Sequence, residues 1–358
     1  MVPTTIITGF LGSGKTTLLN RLLGHPACSN SLVVINEFGE IGIDHLTVSV
    51  PTESVRLLAN GCMCCQTRGE LAGTLADVWL KRTAGELPPF DRVMIETTGL
   101  ADPVPIIETI INHPRLGSIY SLDQVIAVID AVHVYAQLNS HDEARKQVGV
   151  ADTLLISKTD LVDPSELPVL DAMLARVNPA AELVSATYGA VDPQRLLAGD
   201  SVTPDGTRRW LERVPQDHDE HEKGPHTEGV RTFSVVLDAP ISGAGLATWL
   251  SMLASLKGPQ LLRVKGVINV GGDPYIIDVV QSVVHQPYKL DTWPTADKRS
   301  RIVFIVRGLS RRAIERTFAA FSMGDSLRHI ARFDPGAYAR FRSVADEFIE
   351  LKDVTPRQ

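Results

Sequence analysis

Residues 9–16 read GFLGSGKT, which fits the pattern G-x-x-x-x-G-K-[ST], and they lie between the β-branched run TTIIT (4–8) and an apolar-periodic run opening at Lys15. A strand that turns through glycines straight into a helix wraps backbone N–H groups around phosphates and adds the favourable end of the helix dipole. Such a unit belongs to an open parallel sheet, with ligands held at the carboxyl ends of the strands. Gly9, Gly12, Ser13 and Gly14 supply the candidate phosphate cradle. Lys15 is suited to the β- and γ-phosphates and Thr16 to Mg²⁺.

The runs that follow keep the same grammar. SLVVIN (31–36), SVRLL (54–58), DRVMIE (91–96), QVIAVID (124–130), DTLLIS (152–157) and AELVSA (181–186) are continuous apolar strands. Helical patterns at 15–24, 68–81 and 103–112 separate them. This alternation predicts a doubly wound, mostly parallel α/β sheet over residues 1–213. The polar stretch 214–229, with His218, His221 and His226, reads as a linker, and its histidines suit weak metal binding or plain solvation. Residues 230–358 predict a smaller α+β domain, one sheet with helices on one side, in which Arg263 and Lys265 alternate with apolar neighbours as on a half-exposed strand. The segment 336–351 has an amphipathic pattern.

Bulk composition narrows the function classes. With 44% hydrophobic and 22% charged residues the chain is an ordinary globular one. A formal charge of −7 disfavours a broad nucleic-acid surface, which needs a basic face. The longest apolar runs fall well short of the roughly 20 residues of a membrane-spanning helix. The first residues carry no export signal, so the expected location is the cytoplasm, where thiols stay reduced. A homo-oligomer is compatible with this composition.

Three further stretches specify a ligand. SKTD (157–160) ends a later strand; in an [NT]-K-x-D loop the Asp160 carboxylate accepts from guanine N1–H and N2–H₂ while the Lys158 stem packs over the base. Ser157 stands where Asn or Thr is usual, leaving a hydroxyl for the bond across the loop. The next strand ends at Ser185, where a backbone N–H suits guanine O6. ETTG (96–99) offers Glu96 as the Mg²⁺ acid and Gly99 as an N–H donor to the γ-phosphate. Asp130, closing AVID, reads as a cap or salt-bridge partner. NEFGEIGID (36–44) is a switch-like stretch in which Glu37 and Glu40 supply hard oxygen ligands or position a water.

NGCMCC (60–65) places three of the four cysteines within four positions. Crowding of this kind argues against staples and leaves a soft-metal ligand set or a reactive thiol. Cys28 stands apart and receives no role.

GFLGSGKTT, NEFGEIGID, NGCMCC, ETTGLADP and SKTD, in that order, resemble the CobW/YjiA-like GTPases, relatives of the nickel-handling urease and hydrogenase accessory GTPases. LLRVKGVINV and RSRIVFI resemble that family's C-terminal domain. The resemblance implies GTP-dependent metal delivery. It carries Gly12, Gly14, Lys15, Thr16 and Thr17 to phosphate and Mg²⁺, Lys158 and Asp160 to guanine, and Cys62, Cys64 and Cys65 to the metal.

In that setting three thiolates suit Zn²⁺, with Co²⁺, Ni²⁺ or Fe²⁺ as alternatives, and Glu37, Glu40 or His113 is the candidate fourth ligand. Lys15, Glu96 and Glu37 are the candidate catalytic residues. The expected partners are GTP and GDP, a metal ion, and a client metalloprotein or metal-cofactor pathway enzyme. With no glutamine or arginine finger in the catalytic stretches, intrinsic hydrolysis is expected to be slow. The competing expectation is a P-loop biosynthetic enzyme or kinase with structural cysteines.

Overall fold

In the computed structural model, residues 1–28, 30–36, 56–59, 68–186, 191–197, 204–214 and 230–318 are described. Glu37, Glu40, Cys62, Cys64, Cys65, most of the 214–229 stretch and the 336–351 segment lie outside them.

Apolar β-branched runs become seven strands of one sheet: β1 (Val2–Thr8), β2 (Ser31–Asn36), β3 (Arg56–Ala59), β4 (Arg92–Thr97), β5 (Tyr120–Asp130), β6 (Thr153–Ser157) and β7 (Glu182–Ser185). Their order is β3-β2-β4-β1-β5-β6-β7, and every pairing is parallel. Helices α1 (Lys15–Leu23), α2 (Arg68–Thr83), α3 (Val104–Asn112), α4 (Val134–Ser140), α5 (Asp142–Val150), α6 (Leu167–Val177) and α7 (Pro193–Leu197) make the crossovers.

Successive strand residues face opposite ways, so each face receives its own core. On one face Ile7, Ile126 and Val128 pack with Leu18, Leu19 and Leu22 of α1. On the other, Ala127, Ile129 and Leu154 pack with Leu138, Val148 and Leu174 from α4, α5 and α6. The chain leaves β1 toward β2 on one side and later returns to β5 on the other. The crevice where this strand order reverses lies at the carboxyl end of β1, directly under the glycine loop.

The second sheet is antiparallel. It contains β8 (Val230–Leu237), β9 (Leu261–Val270), β10 (Asp273–Val280), β11 (Val283–Val284) and β13 (Ser300–Arg307) in the order β11-β10-β9-β13-β8, with β12 (Tyr288–Lys289) on β10. Helices α9 (Gly243–Lys257) and α10 (Arg311–Thr317) begin at Ser242 and Ser310, whose hydroxyls accept the N–H of Gly245 and Ala313. They cover one face, where Trp249 meets Phe304 edge-on and Phe233 stacks on Phe304.

Helix α8 (Pro204–Arg213) falls in the second of two compact units, which begins at Val202. Its anchor is Arg301, on the sheet face opposite α9, which donates to the Leu211 carbonyl at 3.1 Å. Arg263 and Lys265 are buried rather than half-exposed. Asp278, paired with Lys265 across the ladder, takes the Arg263 guanidinium through two bonds of 3.1 and 2.6 Å. Gln281 at φ 51° turns the chain between β10 and β11. Among the described residues, no helix is long and apolar enough to cross a membrane.

Candidate nucleotide site

Gly9 leaves β1 at φ 139°, and a Cβ there would fall 2.3 Å from the Val128 carbonyl oxygen of β5, so only glycine lets the loop cross its neighbour. Gly12 and Gly14 also have positive φ, and Gly14 precedes the first turn of α1. Inside the loop the Lys15 ammonium donates to the carbonyls of Gly9, at 2.9 Å, and Phe10, at 3.2 Å. A buried cation ringed by backbone is a fitting receptor for phosphate charge. Ser13 is buried and Thr17 exposed on α1.

The acid expected on the neighbouring strand is in place. Glu96, near the end of β4 and almost fully buried, accepts the Thr16 hydroxyl at 2.7 Å. A hydroxyl and a carboxylate joined in this way form the kind of hard-oxygen pair that Mg²⁺ prefers. Thr97 hydrogen-bonds Thr8 at 2.9 Å, tying the two strand ends together. Gly99 lies so close to the glycine loop that a Cβ would sit 2.6 Å from the Leu11 nitrogen. The loop after β4 and the phosphate loop thus touch backbone to backbone.

The base-reading loop follows β6. Lys158 takes the left-handed conformation, φ 57°, and its ammonium lies 2.7 Å from Asp130 Oδ2 at the end of β5. Asp130 also accepts the Val132 N–H and contacts His133 Nδ1 at 3.1 Å. Burial raises the Asp130 pKa, but the bonds from Lys158, His133 and Val132 outweigh it and hold the carboxyl below the usual carboxylate range. The Ser157 hydroxyl lies 2.6 Å from the Ser13 carbonyl and 3.0 Å from that of Ile129, sharing its one proton between them. The Ser157 hydroxyl thus makes the bond across to the phosphate loop. Asp160 lies exposed in the short turn that follows Lys158, and Ser185 ends the edge strand β7 with its side chain exposed.

His113 does not join this group. It follows α3, whose nine residues, at about 1.5 Å each, carry the chain about 13 Å from the carboxyl edge back toward the start of β5. There its Nδ1 accepts the N–H groups of Arg115 and Leu116 at 3.3 Å, as a turn cap. Cys28 is buried in the core, and burial pushes its thiol pKa up, with Arg92 opposing. The described residues hold no cluster of three or more metal-ligating side chains. The C-x-C-C segment joins the carboxyl end of β3 to α2 outside the described residues.

Sequence reasoning missed the supports of the loop after β4. Gln147, buried on α5, donates to the carbonyls of Gly99 and Ala101, and Lys146 pairs with Asp102 at 2.8 Å. Phe10 of the phosphate loop packs on His141, which precedes α5, with ring centroids 4.6 Å apart. None of these contacts has a local sequence signal.

A glycine cradle on the central strand, an acid on the adjacent strand and a Lys-x-Asp loop two strands away together define a P-loop GTPase. A model of the CobW/HypB/UreG nucleotide-binding domain matches residues 3–185, and one of the cobalamin synthesis protein cobW C-terminal domain matches residues 230–322. The chain belongs to this family. The zinc chaperone YjiA of Escherichia coli is 33% identical over 321 residues, covering 89% of this chain and 98% of that protein. The zinc chaperone CobW of Sinorhizobium sp is 30% identical, over 85% and 92% respectively. The crystal structure of Zn(II)-bound YjiA GTPase from E. coli superposes with a TM-score of 0.67 at 30% identity, over 89% of this chain and 98% of that one.

Proposed function

We propose that the chain is a GTPase zinc chaperone: it binds GTP, hydrolyses it to GDP and phosphate, and uses the difference between the two states to take up and release zinc. The observation that carries the nucleotide half is the convergence of Lys15, the Thr16–Glu96 pair and the Lys158–Asp130 pair at one edge of the sheet. The zinc half draws support from the relatives' names and the C-x-C-C segment.

In this reading Lys15 neutralises charge on the β- and γ-phosphates, and Lys158 and Asp160 hold guanine. Thr16 and Glu96 would hold Mg²⁺, which supplies charge neutralisation on the phosphate oxygens. Water attacks the γ-phosphorus, the bond to the β-phosphate oxygen breaks, and GDP and inorganic phosphate leave. Glu37 is assigned to positioning that water. Zinc is cargo, taken by Cys62, Cys64 and Cys65 with Glu37 or Glu40 as the fourth donor, and passed to a client metalloprotein in the cytoplasm.

Linkage makes the coupling testable, since nucleotide must change zinc affinity by the same factor as zinc changes nucleotide affinity. Competitive Zn²⁺ titrations with GDP and with a non-hydrolysable GTP analogue, repeated after changing Cys62, Cys64 and Cys65 to Ser, read it directly. The expected result is a nucleotide-dependent affinity that the triple change abolishes. Equal affinity in the two states refutes the coupling, and absence of zinc binding refutes the chaperone reading.

A further inference from the structure

We infer that Gln147 is a positioning residue for the γ-phosphate contact, holding the turn by the Gly99 and Ala101 carbonyls so that the Gly99 N–H, on the peptide before, distinguishes GTP from GDP. The inference rests on the GTPase reading above and assigns a role to a residue outside the phosphate, acid and base loops.

The segment after Glu96 is a short turn closed by one backbone bond, from the Ala101 N–H to the Thr98 carbonyl at 3.1 Å. Such a turn has little stiffness of its own. Gln147 supplies it: the Nε2 amide donates both hydrogens, one to Gly99 O at 3.1 Å and one to Ala101 O at 3.0 Å, from a side chain that is 1% exposed. A planar amide that bonds two carbonyls of one turn fixes the turn's orientation as well as its distance. The same helix holds Asp102 through Lys146, and His141 just before it packs against Phe10 of the phosphate loop. Helix α5 therefore braces both walls of the γ-phosphate position.

The turn is also incompletely satisfied. Gln147 Oε1 and Thr98 Oγ1 are both buried without a hydrogen-bond partner.

GDP lacks the group that Gly99 N–H meets, so loss of the brace separates the two nucleotides. The variants are Gln147→Met, which keeps length and volume without a donor, and Gln147→Glu, which turns an acceptor toward two carbonyls. Binding of GDP and of a non-hydrolysable GTP analogue is measured on the full chain, with wild type and Lys15→Ala alongside. Losing one charge-assisted hydrogen bond predicts about a tenfold drop in analogue affinity, with GDP affinity changed less than about twofold. The Glu variant is expected to lose at least as much as Met.

Equal losses for both nucleotides, or no loss for either, overturn the assignment of Gln147 while leaving the GTPase reading intact. A wild type that binds neither nucleotide, or binds them independently of Lys15, overturns the GTPase reading and the inference with it. Gln147→Glu keeps the test open if the Met variant fails to fold.

Discussion

Asp130→Asn removes a charge at nearly constant shape, at the point where β5 meets the base-reading loop. The carboxylate is 3% exposed and receives Lys158 at 2.7 Å, His133 at 3.1 Å and the Val132 N–H at 2.9 Å. An Asn oxygen still accepts one of these bonds, so the loss is the charge-assisted part. Lys158 is about one-third exposed, which screens the pair. The discounted cost is about 1–2 kcal/mol at pH 7.

The pH dependence gives this prediction its sign. The folded carboxyl lies below its ordinary pKa, so its contribution is fully present above the unfolded value, about 3.9, and is lost as pH falls through the folded value. Urea unfolding of wild type and variant from pH 7 downward should show a constant gap that closes only below about pH 4. GDP affinity should fall as well, because Lys158 loses the partner that sets its stem. Identical urea midpoints at pH 7, or a gap that opens as the solution becomes acidic, would refute the reasoning.

Two other substitutions separate the two units. Ser157→Ala orphans the Ser13 carbonyl and should cost about 1–3 kcal/mol, with weaker GDP binding measured in the same samples; a silent change would show that the bridge between base loop and phosphate loop carries nothing. Asp278→Asn leaves the Arg263 guanidinium, 2% exposed, without its bidentate carboxylate and should destabilise the chain by about 3 kcal/mol in chemical denaturation while GDP affinity holds; a loss under 1 kcal/mol would mean the Asp278 charge is dispensable there.

What was legible in the sequence follows from range. The glycine loop, ETTG and SKTD are local: each needs one strand end and the next few residues, and their spacing encodes the geometry. The strands around them were visible because a sheet covered on both faces demands uninterrupted apolar runs. The supports were hidden because their partners are distant in the chain. Lys158 finds Asp130 28 residues earlier, and Gln147 reaches Gly99 48 residues earlier. Neither helix α5 nor the charge on Asp130 announces its target. Arg263 and Lys265 misled for a related reason: alternation with apolar neighbours looks half-exposed until a carboxylate on the adjacent strand makes burial tolerable.

Helix α8 also bears on how such a chain can be divided or recombined. The family's C-terminal segment begins at Val230, yet the compact unit built on it starts at Val202. A junction placed in the polar stretch after α8 would leave Arg301, which is buried, without the Leu211 carbonyl. An exchange of segments between relatives therefore keeps both pieces whole only if the helix travels with the strands that follow it.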